Sequence, residues 1–155
     1  MSKKINEYLN QLLADTEQLL CLTRQVHWYM RGPRFNSLHP MLDEYIAEFN
    51  DNIDDIAEML ITLGGAPYTT LSEYAENTQL ELTIGNYNLS IDEQIAKLID
   101  GMNYYDELLS RGIDLAEDAN NQPFENMVVD QQAWIEKHIW MLSAEIGDRS
   151  SVDQQ

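Results

Sequence analysis

The chain is poor in positive charge. Nine Lys and Arg residues stand against 27 Asp and Glu, for a formal net charge of −18. Such a surface repels nucleic acid and anionic lipid and draws cations. Cysteine is almost absent too. The single Cys21 cannot form an internal disulfide, and its place in an apolar helical run predicts a packed side chain in a reducing compartment. No run of about 18 apolar residues occurs, so no membrane span is expected. The opening MSKKINEYLNQLL has two lysines but neither an apolar core nor a cleavage site. It does not read as a signal peptide, and a cytoplasmic location is expected. Also missing are a phosphate-cradling glycine loop, a Ser/His/Asp signature, a CxxC pair, an internal repeat and any low-complexity segment.

What is present is helical. The 155 residues are 44% apolar, enough for one domain over 1–155 with a real core. Ile5, Leu9, Leu12, Leu13, Thr16, Leu19, Leu20, Thr23, Val26 and Met30 recur at steps of three and four, predicting a helix over about 4–31 that Gly32-Pro33 stops. A second helix, about 37–64, carries Leu42, Tyr45, Ile46, Phe49, Ile53, Ile56, Leu60 and Leu63. Asn36 or Ser37 is expected to cap it, with Pro40 in its first turn and Gly64-Gly65 at its end. Capping-box patterns at Thr70 and Ser90 open a short helix over 71–76 and a long one over 90–119. Pro123 suits the start of the last, 123–146. The polar tail after Gly147 is expected to fray. Short links join the first two long helices and the last two, while about 24 residues join the pairs. The predicted class is all-α: a ferritin-like four-helix bundle with one long crossover containing a short helix.

The chemistry gathers between His27 and Gly65. His39 and Asp43 are four residues apart, as are Asp54 and Glu58, so each pair shares a helix face. The eleven residues from Asp43 to Asp54 bring both pairs to nearly the same side, but about 16 Å apart along the axis. They cannot share an ion, since metal–ligand bonds are near 2 Å. A turn centred near residue 33 sets His27 level with residue 40. His27, His39 and Asp43 then gather at one end of the bundle. A second copy, antiparallel across a two-fold axis near residues 48 and 49, would bring its Asp54 and Glu58 to that end and make two equivalent sites of two imidazoles and three carboxylates. Nitrogen and carboxylate oxygen without thiolate suit Fe(II), Mn(II) or Zn(II), with ferrous iron the first choice. The bias of Pro40 against helical geometry at His39 makes the alignment approximate.

These residues carry a resemblance. HWYMRGPRFNSLHPMLDEY followed by DNIDDIAEMLITLGG is similar to the Dps family of mini-ferritins: His-Trp, a Gly-Pro turn, Leu-His, an Asp four residues on, then D-x-x-x-E before Leu-Gly-Gly. EKHIWML near the end resembles the family's closing helix, so the likeness spans nearly the whole chain. It implies a ferroxidase site between two-fold related subunits, with His27, His39 and Asp43 from one chain and Asp54 and Glu58 from the other. It implies a hollow dodecamer that oxidises Fe(II), preferably with hydrogen peroxide, and stores ferric mineral. Zinc and manganese are expected substitutes. Trp28 matches a tryptophan beside that site, an electron donor to an oxidising intermediate. The family's acidic three-fold pores make Asp118, Glu125 and Asp130 candidates for ion entry. One departure bears on partners. DNA-binding members carry a lysine-rich N-terminal extension, whereas here only Lys3 and Lys4 precede the first helix and only Arg149 follows Gly147. Two charges cannot make the many phosphate contacts that useful affinity requires, so direct DNA binding is not expected. The alternatives are a nucleoid-binding protein without a significant ferroxidase role and a metal-free helical interaction module. His138, on the apolar stripe with Trp134 and Leu142, reads as a satisfied core histidine.

Overall fold

A computed structural model describes residues 2–147 of the chain. Arg149 and the rest of the predicted frayed tail lie outside the described residues. The element order is α1 (Lys3–Tyr29), α2 (Phe35–Thr62), α3 (Leu71–Asn77), α4 (Ile91–Asp118) and α5 (Gln122–Glu145). α1 packs on α2 and α4 on α5, and α1 against α4 joins the two hairpins into a bundle. The fold is all-α and ferritin-like, with the short α3 in the crossover. No described helix is long and apolar enough to cross a membrane.

Side-chain caps fix most helix starts. Ser2 accepts from the Ile5 amide, and Asn121 from the Phe124 amide. Thr70 and Ser90 each close a full capping box, with Glu73 and Glu93. α2 departs from expectation. Its cap is Arg34, in the left-handed region at φ 75°, and no side chain caps its amides. Ser37 donates instead to the Arg34 carbonyl at 3.0 Å. The strained cap is held from outside, because the Arg34 guanidinium pairs with Asp92 at the start of α4 and donates to the Glu145 carbonyl at the end of α5 at 3.0 Å. Starting at Phe35 leaves Pro40 inside the helix rather than in its first turn, and His39 stays helical despite it. The cost is the bond from position 40 to the Asn36 carbonyl, tolerable because Asn36 is exposed.

The α1 stripe from Ile5 to Val26 is buried, and Tyr45, Phe49, Tyr105 and Phe124 are the largest side chains wholly inside. Cys21 is a correction: it is exposed. At about 100° per residue it turns off the stripe that Leu19, Leu20 and Thr23 define. Two glycines inside α4 let its neighbours approach. A methyl at Gly101 would sit 2.6 Å from Leu22 Cδ2, and one at Gly112 would overlap the Tyr8 hydroxyl. That hydroxyl donates to the Leu108 carbonyl at 2.7 Å, so Tyr8 has nowhere to withdraw. Gly112→Ala, which in an open helix would gain about 1 kcal/mol, is expected to lose about 1–3 kcal/mol here. A lowered urea midpoint with unchanged m-value is the readout.

The crossover has little core of its own, and polar side chains of α1 hold it. Asn10 donates to the Ala66 carbonyl at 3.1 Å and accepts from the Tyr68 amide at 2.9 Å. Gln11, Gln18 and Gln25 donate to the carbonyls of Asn77, Leu80 and Thr83. At the centre Asp15, fully buried, takes Thr78 Oγ1 at 2.7 Å and the amides of Gln79 and Leu80 at 2.8 and 3.3 Å on one oxygen. Its other oxygen takes the Tyr104 hydroxyl at 2.6 Å and Gln11 Nε2 at 3.0 Å.

Candidate metal centre

The α1–α2 turn brings three of the five predicted ligands together. The rings of His27 and His39 stack at 3.7 Å between centroids and 5° between planes, and Phe35 lies 4.7 Å from the far face of His39. His27 Nε2 stands 3.4 Å from Asp43 Oδ1. Two metal–ligand bonds of about 2.1 Å meeting near a tetrahedral angle span about 3.4 Å, so the gap already has the width of an ion's bite. His27 is 7% exposed, whereas the Asp43 side chain is 69% exposed. The site opens outward through its carboxylate.

Hydrogen bonding sets the tautomer of His39. Its Nδ1 lies 2.7 Å from the His27 carbonyl oxygen. A carbonyl only accepts, so the proton is on Nδ1 and the Nε2 lone pair is free to bind a metal. Nothing in the order of residues signals this bond, which needs both histidines placed across the turn. His27 Nδ1 is buried without a partner. An orphan acceptor costs less than an orphan donor, which puts the His27 proton on Nε2, facing Asp43, until a cation displaces it.

Asp54 and Glu58 do not join this group. Both are exposed, further along α2, about 16 Å or more from Asp43 by helical rise. Among the described residues no three His, Cys, Asp or Glu side chains of a single chain form a group that would hold an ion. Trp28, beside His27, is 63% exposed and so is not packed within its own chain. Of the candidate entry residues, Asp118 ends α4 and Glu125 lies in the first turn of α5. Asp130 instead lines a groove between α2 and α5.

His138 is half-buried. Its Nδ1 lies 2.7 Å from the Trp134 carbonyl, its ring stacks on Trp134 at 3.7 Å, and Tyr45 meets it edge-on at 5.1 Å. Burial pulls its pKa down, against the smaller upward effect of the bond to Trp134. It is a satisfied packing residue.

Residues 6–151 match the ferritin-like domain family. The chain is 43% identical over 139 residues to the DNA protection during starvation protein of Streptococcus suis, covering 90% of this chain and 81% of that one. It is 32% identical over 141 residues to the protein of the same name from Listeria innocua, covering 91% and 90%. The solved structure of Dps from Listeria monocytogenes superposes with a TM-score of 0.90 at 31% identity, over 93% of this chain and 94% of that one. Dps from Listeria innocua soaked with zinc gives 0.89 at 31% identity, over 93% and 97%.

Proposed function

The chain belongs to the Dps family of ferritin-like proteins, and from that premise we propose that it is a ferroxidase that detoxifies and stores iron. Fe(II) is the substrate, hydrogen peroxide the preferred oxidant, and the site is completed by a second copy. His27 Nε2, His39 Nε2 and Asp43 hold the ion from one subunit, and Asp54 and Glu58 of the other close it. Twelve such subunits would enclose the ferric product, as the family resemblance implies.

The observation that carries this reading is the half-built site. Two stacked imidazoles and a carboxylate present one bite of the right width, and the remaining carboxylates stand exposed on the same helix, where an antiparallel copy would deliver them. Carboxylates are hard ligands that favour Fe(III) over Fe(II), so a carboxylate-rich set lowers the cost of losing an electron. Two ferrous ions give one electron each to a peroxide, which takes up two protons and leaves as two waters. Iron and peroxide are consumed together, which removes both reactants of hydroxyl-radical formation. Trp28, exposed next to His27, would give an electron to any more oxidising by-product. Zinc, present in the soak of a relative, and manganese would compete for the same ligands.

The test adds Fe(II) to the anaerobic protein and then peroxide, following ferric absorbance. The expected course is rapid oxidation at about half an equivalent of peroxide per iron, with a soluble ferric product on particles far larger than a monomer. Slow oxidation equal to that in buffer, or a stable monomer, would remove the proposal.

The names of the relatives invoke DNA protection. For this cytoplasmic shell we place that protection in the chemistry rather than in contact, since a charge of −18 opposes a polyanion. A gel shift with plasmid at moderate salt is expected to show no retardation. Retardation that weakens steeply with salt would favour the nucleoid-binding alternative.

A further inference from the structure

We propose, resting on the ferroxidase reading of this site, that Arg34 is a positioning residue of the metal centre: anchored to Asp92 and Glu145, it fixes the start of α2, from which Phe35 stacks on His39 and aims that imidazole.

Among the described residues only Arg34 and Asn120 take a positive φ without being glycine, at 75° and 50°. Asparagine tolerates that region, whereas a longer side chain adopts it only where its surroundings compel it. Glycine would take the same angle freely, so the turn by itself does not call for a long cationic side chain at position 34. That side chain is anchored through both prongs of its fork. Arg34 Nη2 pairs with Asp92, in the first turn of α4. Arg34 Nη1 donates to the Glu145 carbonyl at 3.0 Å and lies 3.4 Å from the Glu145 carboxylate, at the end of α5. A planar two-pronged donor suits such a bridge, and a single ammonium would not. The α1–α2 turn is thereby tied to both helices of the second hairpin.

The tied turn carries the histidine stack. The Arg34 carbonyl accepts from the amides of Ser37 and Leu38 at 3.1 and 2.9 Å, so the anchored residue also sets where α2 begins. Phe35 follows it directly and stacks on His39 one helical turn on, 4.7 Å between centroids. His27 covers the other face at 3.7 Å, and the His27 carbonyl holds His39 Nδ1 at 2.7 Å. Contacts on both faces and one edge leave the Nε2 lone pair a single direction. One of those contacts comes from the residue that Arg34 places.

The test uses Co(II) as the probe on the intact assembled protein, since its visible ligand-field bands report the number and geometry of its ligands. Arg34→Gly is the decisive variant. Glycine keeps the backbone angle without strain, while the anchored side chain is lost. The sign separates positioning from charge. By charge alone, removing a cation near a cation site would tighten binding. Positioning predicts the reverse: an apparent dissociation constant higher by about tenfold and altered bands at saturating Co(II), with melting temperature and particle size little changed. Phe35→Leu is expected to weaken Co(II) similarly, and the double variant no further than Phe35→Leu alone, because both changes act through one ring. Gly112→Ala perturbs the opposite end of the bundle, against Tyr8, and is expected to keep the wild-type affinity. Unchanged or tighter binding in Arg34→Gly, additive losses in the double variant, or an equal loss in Gly112→Ala would overturn this inference and leave the ferroxidase reading standing. Co(II) binding that survives His27→Ala/His39→Ala would instead remove the histidine centre, and this inference with it.

Discussion

The His27→Ala/Asp54→Ala double variant is expected to oxidise Fe(II) with peroxide at least about 100-fold more slowly than the wild type, since even the supports of metal ligands are worth about 10–100-fold. His27 supplies the nitrogen that faces Asp43 across 3.4 Å. Without it Asp43 is one exposed carboxylate among many. Asp54 is the first acid that a two-fold copy would bring to the His39 end. The fold should survive both changes. Asp54 is exposed, and the cavity left by His27 lies at the end of the bundle beside the turn. Stopped-flow ferric absorbance on variant particles of unchanged size measures the loss. Equal rates in variant and wild type would dissociate these residues from iron.

Asp15→Ala is expected to cost about 3–5 kcal/mol, the range for stripping one side of a buried charged network. The carboxylate is 0% exposed and takes two backbone amides, two hydroxyls and a glutamine amide. Removing it orphans the amide of Gln79 and leaves that of Leu80 only Thr78 Oγ1 at 3.2 Å, just where the crossover has no helix to satisfy them. At about 2–4 °C per kcal/mol for a chain of this size, the melting temperature should fall by about 10 °C. Asp15→Asn should lose less, because its oxygen still serves the two amides while its nitrogen opposes the Tyr104 hydroxyl. Calorimetry on the three proteins gives the order. An Asp15→Ala protein as stable as the wild type would mean that the crossover is held by its apolar contacts alone.

Much of this was legible in the chain, for physical reasons. The α1 stripe is one face of a 3.6-residue period, and periodicity reports burial directly. The convergence of His27, His39 and Asp43 followed from the position of the Gly32-Pro33 stop, because an antiparallel turn fixes which residues lie level. Other features could not be read. Asp15 and Asn10 are polar, and only the crossover laid over them explains their burial. Arg34 as the cap of α2 depends on Asp92 and Glu145, distant in sequence. Asn36 and Ser37 had the right chemistry for a cap, but that tertiary clamp decided the start and carried Pro40 into the helix. Cys21 looked packed because its neighbours are apolar, while its own angle on the helix faces out. The tautomer of His39 is a matter of a single proton, and only coordinates allow it to be placed.

The central claim is that each site is shared between two chains, and complementation tests it most directly. His27→Ala and Asp54→Ala proteins are prepared singly, then coassembled in equal amounts. In a mixed two-fold pair, one site receives both substitutions and the other receives neither. Random pairing makes half the pairs mixed, so about a quarter of all sites are whole. The account predicts that two nearly inactive parents regain about a quarter of the wild-type rate of iron oxidation. If each site were built within one chain, every site in the mixture would carry one substitution, and no activity beyond the average of the parents would return.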